Sequence, residues 1–157
     1  MATDLTSLLE EGVILHPVAA DSRKQALTLL SQALAAKTKL DQRDIFEAVL
    51  ERERLGSTGV GEGVAIPHAR IDRLSKPLGG FVRLESGVDF DAVDERPCDL
   101  IFMLIAPVGS GADHLRALAQ VSRTLRQPSV REALRQAKDK AEIRKILCPE
   151  AAKASAA

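Results

Sequence analysis

The chain has 157 residues, with 22 Lys plus Arg balancing 22 Asp plus Glu, so its formal charge is zero. That is the length of one domain with a core of ordinary size, and a balanced charge excludes a general polyanion binder. Hydrophobic residues make up 45% and charged residues 28%, with no Trp, no Tyr and four Phe. This is a globular rather than a disordered composition, and it lacks the aromatic platform on which single-stranded nucleic acid stacks.

The opening MATDLTSLLEEG has neither the basic nor the apolar region of a signal peptide. The longest apolar run, Leu100 to Pro107, is far too short to span a membrane, so a cytoplasmic protein is expected. Cys98 and Cys148 form neither a disulfide framework nor a zinc cluster and read as reduced thiols.

Along the chain, Val13 to Pro17 reads as a short strand. Asp21 is a candidate N-cap for a helix that buries Leu27, Leu30, Ala33 and Leu34. Asp41 caps a second helix, in which Ile45, Val49 and Arg52 share one stripe. Arg52 at its last turn is either snorkelling or aimed at something. Gly56 to Gly63, GSTGVGEG, holds four glycines in eight residues and must be a turn or a binding loop. Val64 to Ile66 is an apolar run stopped by Pro67. Strands are expected over 80–84 and 99–106, the second apolar on both faces as a central covered strand is. After a loop over 107–111, a helix runs from about Asp113 with Leu118, Val121 and Leu125 inward. Short helices over 129–136 and 139–147 follow, and the tail 150–157, EAAKASAA, is expected to fray. Strands and helices alternate, so the class is α/β with a layered sheet.

Three histidines can be weighed. Pairing is expected to stop at Pro67, which lacks a ladder donor, leaving His68 free to face a crevice. Its alternative is a surface loop histidine. His114 stands at a predicted helix start, where the dipole disfavours its cation and free N–H groups favour a phosphate. Its alternative is capping and packing. His16 has no charged neighbour in sequence and reads as structural or exposed.

The glycine stretch fails as a P-loop, since Glu62 stands where Lys is needed, and no GxGxxG can be read in it. Neither Ser57 nor Ser110 sits in a GxSxG elbow, and no His/Cys cluster has metal-ligand spacing. Two histidines, an arginine and a glycine loop suit phosphoryl transfer through histidine. A neutral imidazole attacks without prior deprotonation, and donors already in place hold the phosphoryl oxygens.

The run Arg52-Glu53-Arg54-Leu55-Gly56-Ser57-Thr58-Gly59-Val60-Gly61-Glu62-Gly63-Val64-Ala65-Ile66-Pro67-His68-Ala69 resembles the signature of the fructose/mannitol-type enzyme IIA domains of the bacterial phosphotransferase system. The A-I-P-H-A core is its most specific part. The wording LGSTGVG looks most like the nitrogen-regulatory branch. The resemblance spans roughly residues 5 to 147 and implies one domain over 1–149. It implies a single mixed, mostly parallel sheet with helices on both faces, and no cofactor or metal. It implies that His68 is the phosphorylated histidine, that His114 is a second active-site imidazole, and that Arg52 interacts with the phosphoryl group. Glu62 stands where sugar-type members carry a glutamate near the active histidine. The implied donor is a histidine phosphocarrier (NPr or HPr-like). The implied targets are regulatory, such as potassium transport systems, sensor kinases and stringent-response proteins, with no nucleic acid and no membrane insertion. Two alternatives stand beside this reading: a soluble IIA subunit feeding a separate sugar permease, and a small ligand-binding module without covalent chemistry.

Overall fold

The computed structural model of the chain describes residues 5–109 and 111–149. Six strands form one sheet: β1 (Val13–Val18), β2 (Gly59–Gly61), β3 (Val64–Ala65), β4 (His68–Ile71), β5 (Leu78–Val88) and β6 (Cys98–Pro107). Six helices cover it: α1 (Thr6–Leu9), α2 (Arg23–Thr38), α3 (Gln42–Leu55), α4 (Gly111–Arg126), α5 (Pro128–Gln136) and α6 (Lys140–Leu147). The main path is β1-β5-β6-β3-β2, with β4 also pairing β6. β1 runs parallel to β5, and β3 and β4 run parallel to β6, whereas β5–β6 and β2–β3 are antiparallel. The sheet is thus mixed with a mostly parallel core.

β6 is apolar on both faces because both faces are covered. Ile101, Met103 and Ile105 point into a core shared with α2 and α3. Leu100, Phe102 and Leu104, the alternate set, point into a second core shared with α1, α4, α5 and α6. The tail 150–157 lies outside the described residues.

The structure corrects several expectations locally. The cap of α2 is Ser22, not Asp21: the Ser22 hydroxyl accepts from the Gln25 N–H at 3.1 Å, while Gln25 Oε1 accepts from the Asp21 N–H at 2.6 Å. This is close to a capping box, shifted one residue along. Asp41 does cap α3, accepting from the Arg43 N–H. The short helix α1 was not read from the sequence, because four residues are too few to show a period; it is fixed by burial of Leu8 and Leu9. Of the two readings of the glycine stretch, a turn or a binding loop, the structure shows the turn: β2 and β3 form a hairpin through Glu62-Gly63, whose φ values of 58° and 79° are both positive, as in a type I′ turn.

Pairing does not end at Pro67. The proline has no N–H to give, but its carbonyl accepts from the Leu104 N–H at 2.9 Å. The ladder along β6 therefore continues into β4, with His68 opposite Leu104. His68 begins a strand rather than following one.

Candidate active site

α3 packs on β4, and α4 packs on β6 from the other side of the sheet. Over β4 the two helices leave a cleft of about 460 Å³. Arg52 and Leu55 of α3, His68 and Arg70 of β4, and His114 and Leu115 of α4 line it. Residues that are 62 positions apart at the extremes, Arg52 and His114, thus meet around His68.

His68 is half-buried, and its Nδ1 lies 2.8 Å from the carbonyl oxygen of Ile66. A carbonyl only accepts, so Nδ1 carries the ring proton and donates it. In the neutral ring the lone pair is then left on Nε2. Burial pushes the His68 pKa below its ordinary 6.5; the Ile66 hydrogen bond opposes this, the Arg52 charge adds to it, and the Glu53 carboxylate opposes it.

His114 is buried, and its ring centroid lies 5.5 Å from that of His68, with the planes tilted by 58°. Its pKa is also lowered, first by burial, then by His68 and by the positive charge of Arg70. The direction is the one expected from its place on the helix, but burial is the main cause. Its Nδ1 is buried and makes no hydrogen bond among the described residues.

Arg52 lies half-buried at the edge of the stripe, whose buried residues are Ile45, Val49 and Glu53. Its guanidinium reaches past the end of α3, where Nη1 donates to the Gly56 carbonyl at 2.9 Å. Beneath it Glu53 is buried, accepting from the Thr58 hydroxyl and from Arg23 Nη1 at 3.3 Å. Arg23 also donates to the Phe90 carbonyl. This network ties the end of α3 to the glycine stretch and to the 90s segment. It was not read from the sequence, because Arg23 and Phe90 lie far from the motif along the chain.

Glu62 is not brought to the cleft. It occupies the hairpin turn, where its carboxylate pairs with Arg96 at 3.0 Å. Its carbonyl accepts from Arg135 Nη2 at 2.7 Å, and its N–H donates to Asp94 at 2.9 Å. Conversely, Arg70 lines the cleft and was not singled out. Its signal was the period of a strand two residues past His68, which the expected stop at Pro67 concealed.

His16, which has no charged neighbour in sequence, meets one across the sheet: its Nε2 accepts from Arg83 Nη1 at 2.7 Å. Both cysteines are buried thiols outside any disulfide, and burial pushes the Cys98 thiol up to about 12, so it stays protonated. Among the described residues no three His, Cys, Asp or Glu side chains converge as a metal site requires. No described helix is long and apolar enough to cross a membrane.

Comparison with known proteins finds relatives over nearly the whole chain. A nitrogen regulatory protein of Bradyrhizobium diazoefficiens is 43% identical over 143 residues, covering 91% of this chain and 94% of that protein. The fructose-specific EIIA component of Haloferax volcanii is 37% identical over 146 residues, covering 92% and 95%. The crystal structure of nitrogen regulatory protein IIA-Ntr from Neisseria meningitidis superposes with a TM-score of 0.81 at 36% identity, covering 87% and 93%. The mannitol IIA of Escherichia coli shares the fold, with a TM-score of 0.73 at 23% identity over 88% and 97% of the two chains. Residues 7–148 match the EIIA 2 family of the phosphoenolpyruvate-dependent sugar phosphotransferase system, and the chain belongs to that family.

Proposed function

We propose that the chain is a cytoplasmic phosphohistidine relay protein, which takes a phosphoryl group onto His68 from a histidine phosphocarrier of the NPr or HPr kind. Its phosphorylation state then decides which target proteins it binds. The observation that carries this reading is the Nδ1–H bond to the Ile66 carbonyl at 2.8 Å. It leaves Nε2 as the nucleophile on a ring that burial keeps neutral.

In the transfer, the Nε2 lone pair forms a bond to phosphorus as the donor's P–N bond breaks. The electron pair of the broken bond returns to the donor imidazole. The positive charge that develops on His68 is shared through Nδ1–H with the Ile66 carbonyl. Arg52 and the neutral His114 serve the phosphoryl oxygens, with charge stabilisation already in place before reaction. Leu55 and Leu115, 82% and 65% exposed, flank the cleft. Exposed apolar side chains at the rim suit docking of a protein better than capture of a small ligand.

A regulatory output is favoured by the relatives named nitrogen regulatory proteins, and the target classes, potassium transport, sensor kinase or stringent-response proteins, are those the family resemblance implies. The fructose-specific relative favours a second reading, in which a separate sugar permease accepts the phosphate. Residues 1–149 would act as one unit in either case.

Incubation with phosphoenolpyruvate, enzyme I and carrier, followed by detection of acid-labile phosphate, tests the site. Wild type is expected to label and His68→Ala to lose labelling. His114→Ala is expected to label on His68 but about 10²-fold more slowly, as for loss of one preorganised donor. Equal labelling of wild type and His68→Ala overturns the assignment.

A further inference from the structure

Resting on the relay reading, we infer that Arg70 is a second phosphoryl-binding guanidinium, gripping the group on His68 from the side opposite Arg52. Residues two apart on a strand point to the same face and sit about 6.6 Å apart. In β4, Ala69 and Ile71 are buried in the core under α2 and α3, so His68 and Arg70 share the other face. An arginine side chain spans that separation easily, and both residues line the same cleft.

Where the guanidinium rests is the informative point. Its Nη2 lies 3.8 Å from the position a Cβ would take on Gly111, the first residue of α4. The first turn of a helix is its positive end, so a cation there is unfavourably placed. Glu51 lines the same cleft, and Asp41, Asp44 and Asp72 line a neighbouring cavity with Arg70, but none of these carboxylates is within ion-pair distance of it. Arg70 makes no hydrogen bond or ion pair with any described residue, and Asp113 in the same turn is paired with Arg116 at 3.4 Å. An unpaired cation facing a positive helix end, three residues before His114, is the arrangement that an anion between them would stabilise.

The need for a second guanidinium is also visible. Arg52 has Nη1 committed to the Gly56 carbonyl. A transferring phosphoryl group spreads charge over three oxygens. Arg52 approaches from α3, His114 from α4, and Arg70 from the strand between them. In addition, the Arg70 charge helps to keep His114 neutral.

The alternative is that Arg70 only attracts an acidic carrier surface. The test removes the carrier before the reading is taken. Wild type, Arg70→Ala and Arg70→Lys are labelled by the carrier and isolated, and the phosphoryl group is titrated by phosphorus NMR. A guanidinium on the phosphoryl oxygens favours the dianion, so its loss is expected to raise the phosphoryl titration midpoint by about half a pH unit or more. Lysine, a point charge without the planar fork, is expected to restore only part of this. The forward labelling rate should fall about tenfold or more in Arg70→Ala.

An unchanged titration in Arg70→Ala, whatever the rate, overturns the assignment and leaves Arg70 a docking charge. If Arg70→Ala takes too little label to titrate, Arg70→Lys decides. A midpoint above wild type supports the grip, and one equal to wild type overturns it. Wild type that takes no label overturns the relay reading itself, and this inference with it.

Discussion

At the scale of the residue, the protonation state of His68 is the central fact. One hydrogen bond to the Ile66 carbonyl decides which ring nitrogen is free. Burial then decides that the ring is neutral, with the Arg52 charge acting in the same direction. A nucleophile held this way keeps a larger neutral fraction than an ordinary histidine at any pH near 6.5. The acid-side fall of labelling by the carrier, as His68 takes up a proton, is therefore expected to have its midpoint below pH 6.5. An NMR titration of the ring checks this independently of the donor, and a His68 midpoint at or above 6.5 contradicts it. His114 should also titrate below 6.5, since burial and two neighbouring groups act against its cation.

At the scale of the element, the hairpin and the strand after it set the site. Glu62 holds a left-handed φ of 58°, a conformation that costs a residue with a Cβ and that Asn or Gly adopts readily. Gly63 follows at φ 79°, and a Cβ there would run into the Arg135 guanidinium, which is bound to Asp99. The tip is thus fastened to α5, not to the cleft. Glu62→Asn should accordingly label at the wild-type rate. Its exposed pair with Arg96 contributes little, so its unfolding midpoint should be unchanged or higher, with a gain of up to about 1 kcal/mol. Denaturant unfolding together with the labelling assay checks both halves, and a large loss of labelling would restore Glu62 to the site. β4 shows the same dependence on neighbours: Pro67 breaks its own donor, but the strand restarts because β6 offers the Leu104 N–H to the proline carbonyl.

At the scale of the whole molecule, a zero formal charge conceals a local concentration of cations. Arg52 and Arg70 face one cleft with two neutral imidazoles between α3 and α4. This arrangement has a cost in acid. An unfolded chain binds protons at its histidines near 6.5, whereas His68 and His114 bind them more weakly when folded. Between the depressed values and 6.5 the unfolded chain holds more protons, so stability rises with pH across that window and is lost as pH falls through it. Above 6.5 this contribution no longer changes. Thermal unfolding of wild type should show a falling Tm below pH 6.5, and a His68→Gln, His114→Gln double variant should show a flatter dependence over the same range. Equal slopes would mean that the two rings are not the source.

Much of this protein is determined locally. The period of α2 and α3, the two-faced apolar run of β6 and the Asp41 cap depend on residues near each other in the chain, and each is legible there. His68, His114 and Arg52 stand out because a histidine after A-I-P, a histidine at a helix start and an arginine on an apolar stripe are each unusual for their setting. Tertiary structure decided the rest. Whether the chain pauses or stops at Pro67 depends on β6, some 37 residues away at Leu104. Which nitrogen of His68 is free depends on how the Ile66 carbonyl is turned. Glu62 leaves the cleft because Arg96 and Arg135 hold its turn, and Arg70 enters it because β4 is a strand. Local propensity reads a residue's own conformation; its partners across the sheet come only with the register, and the chemistry of the cleft is made of those partners.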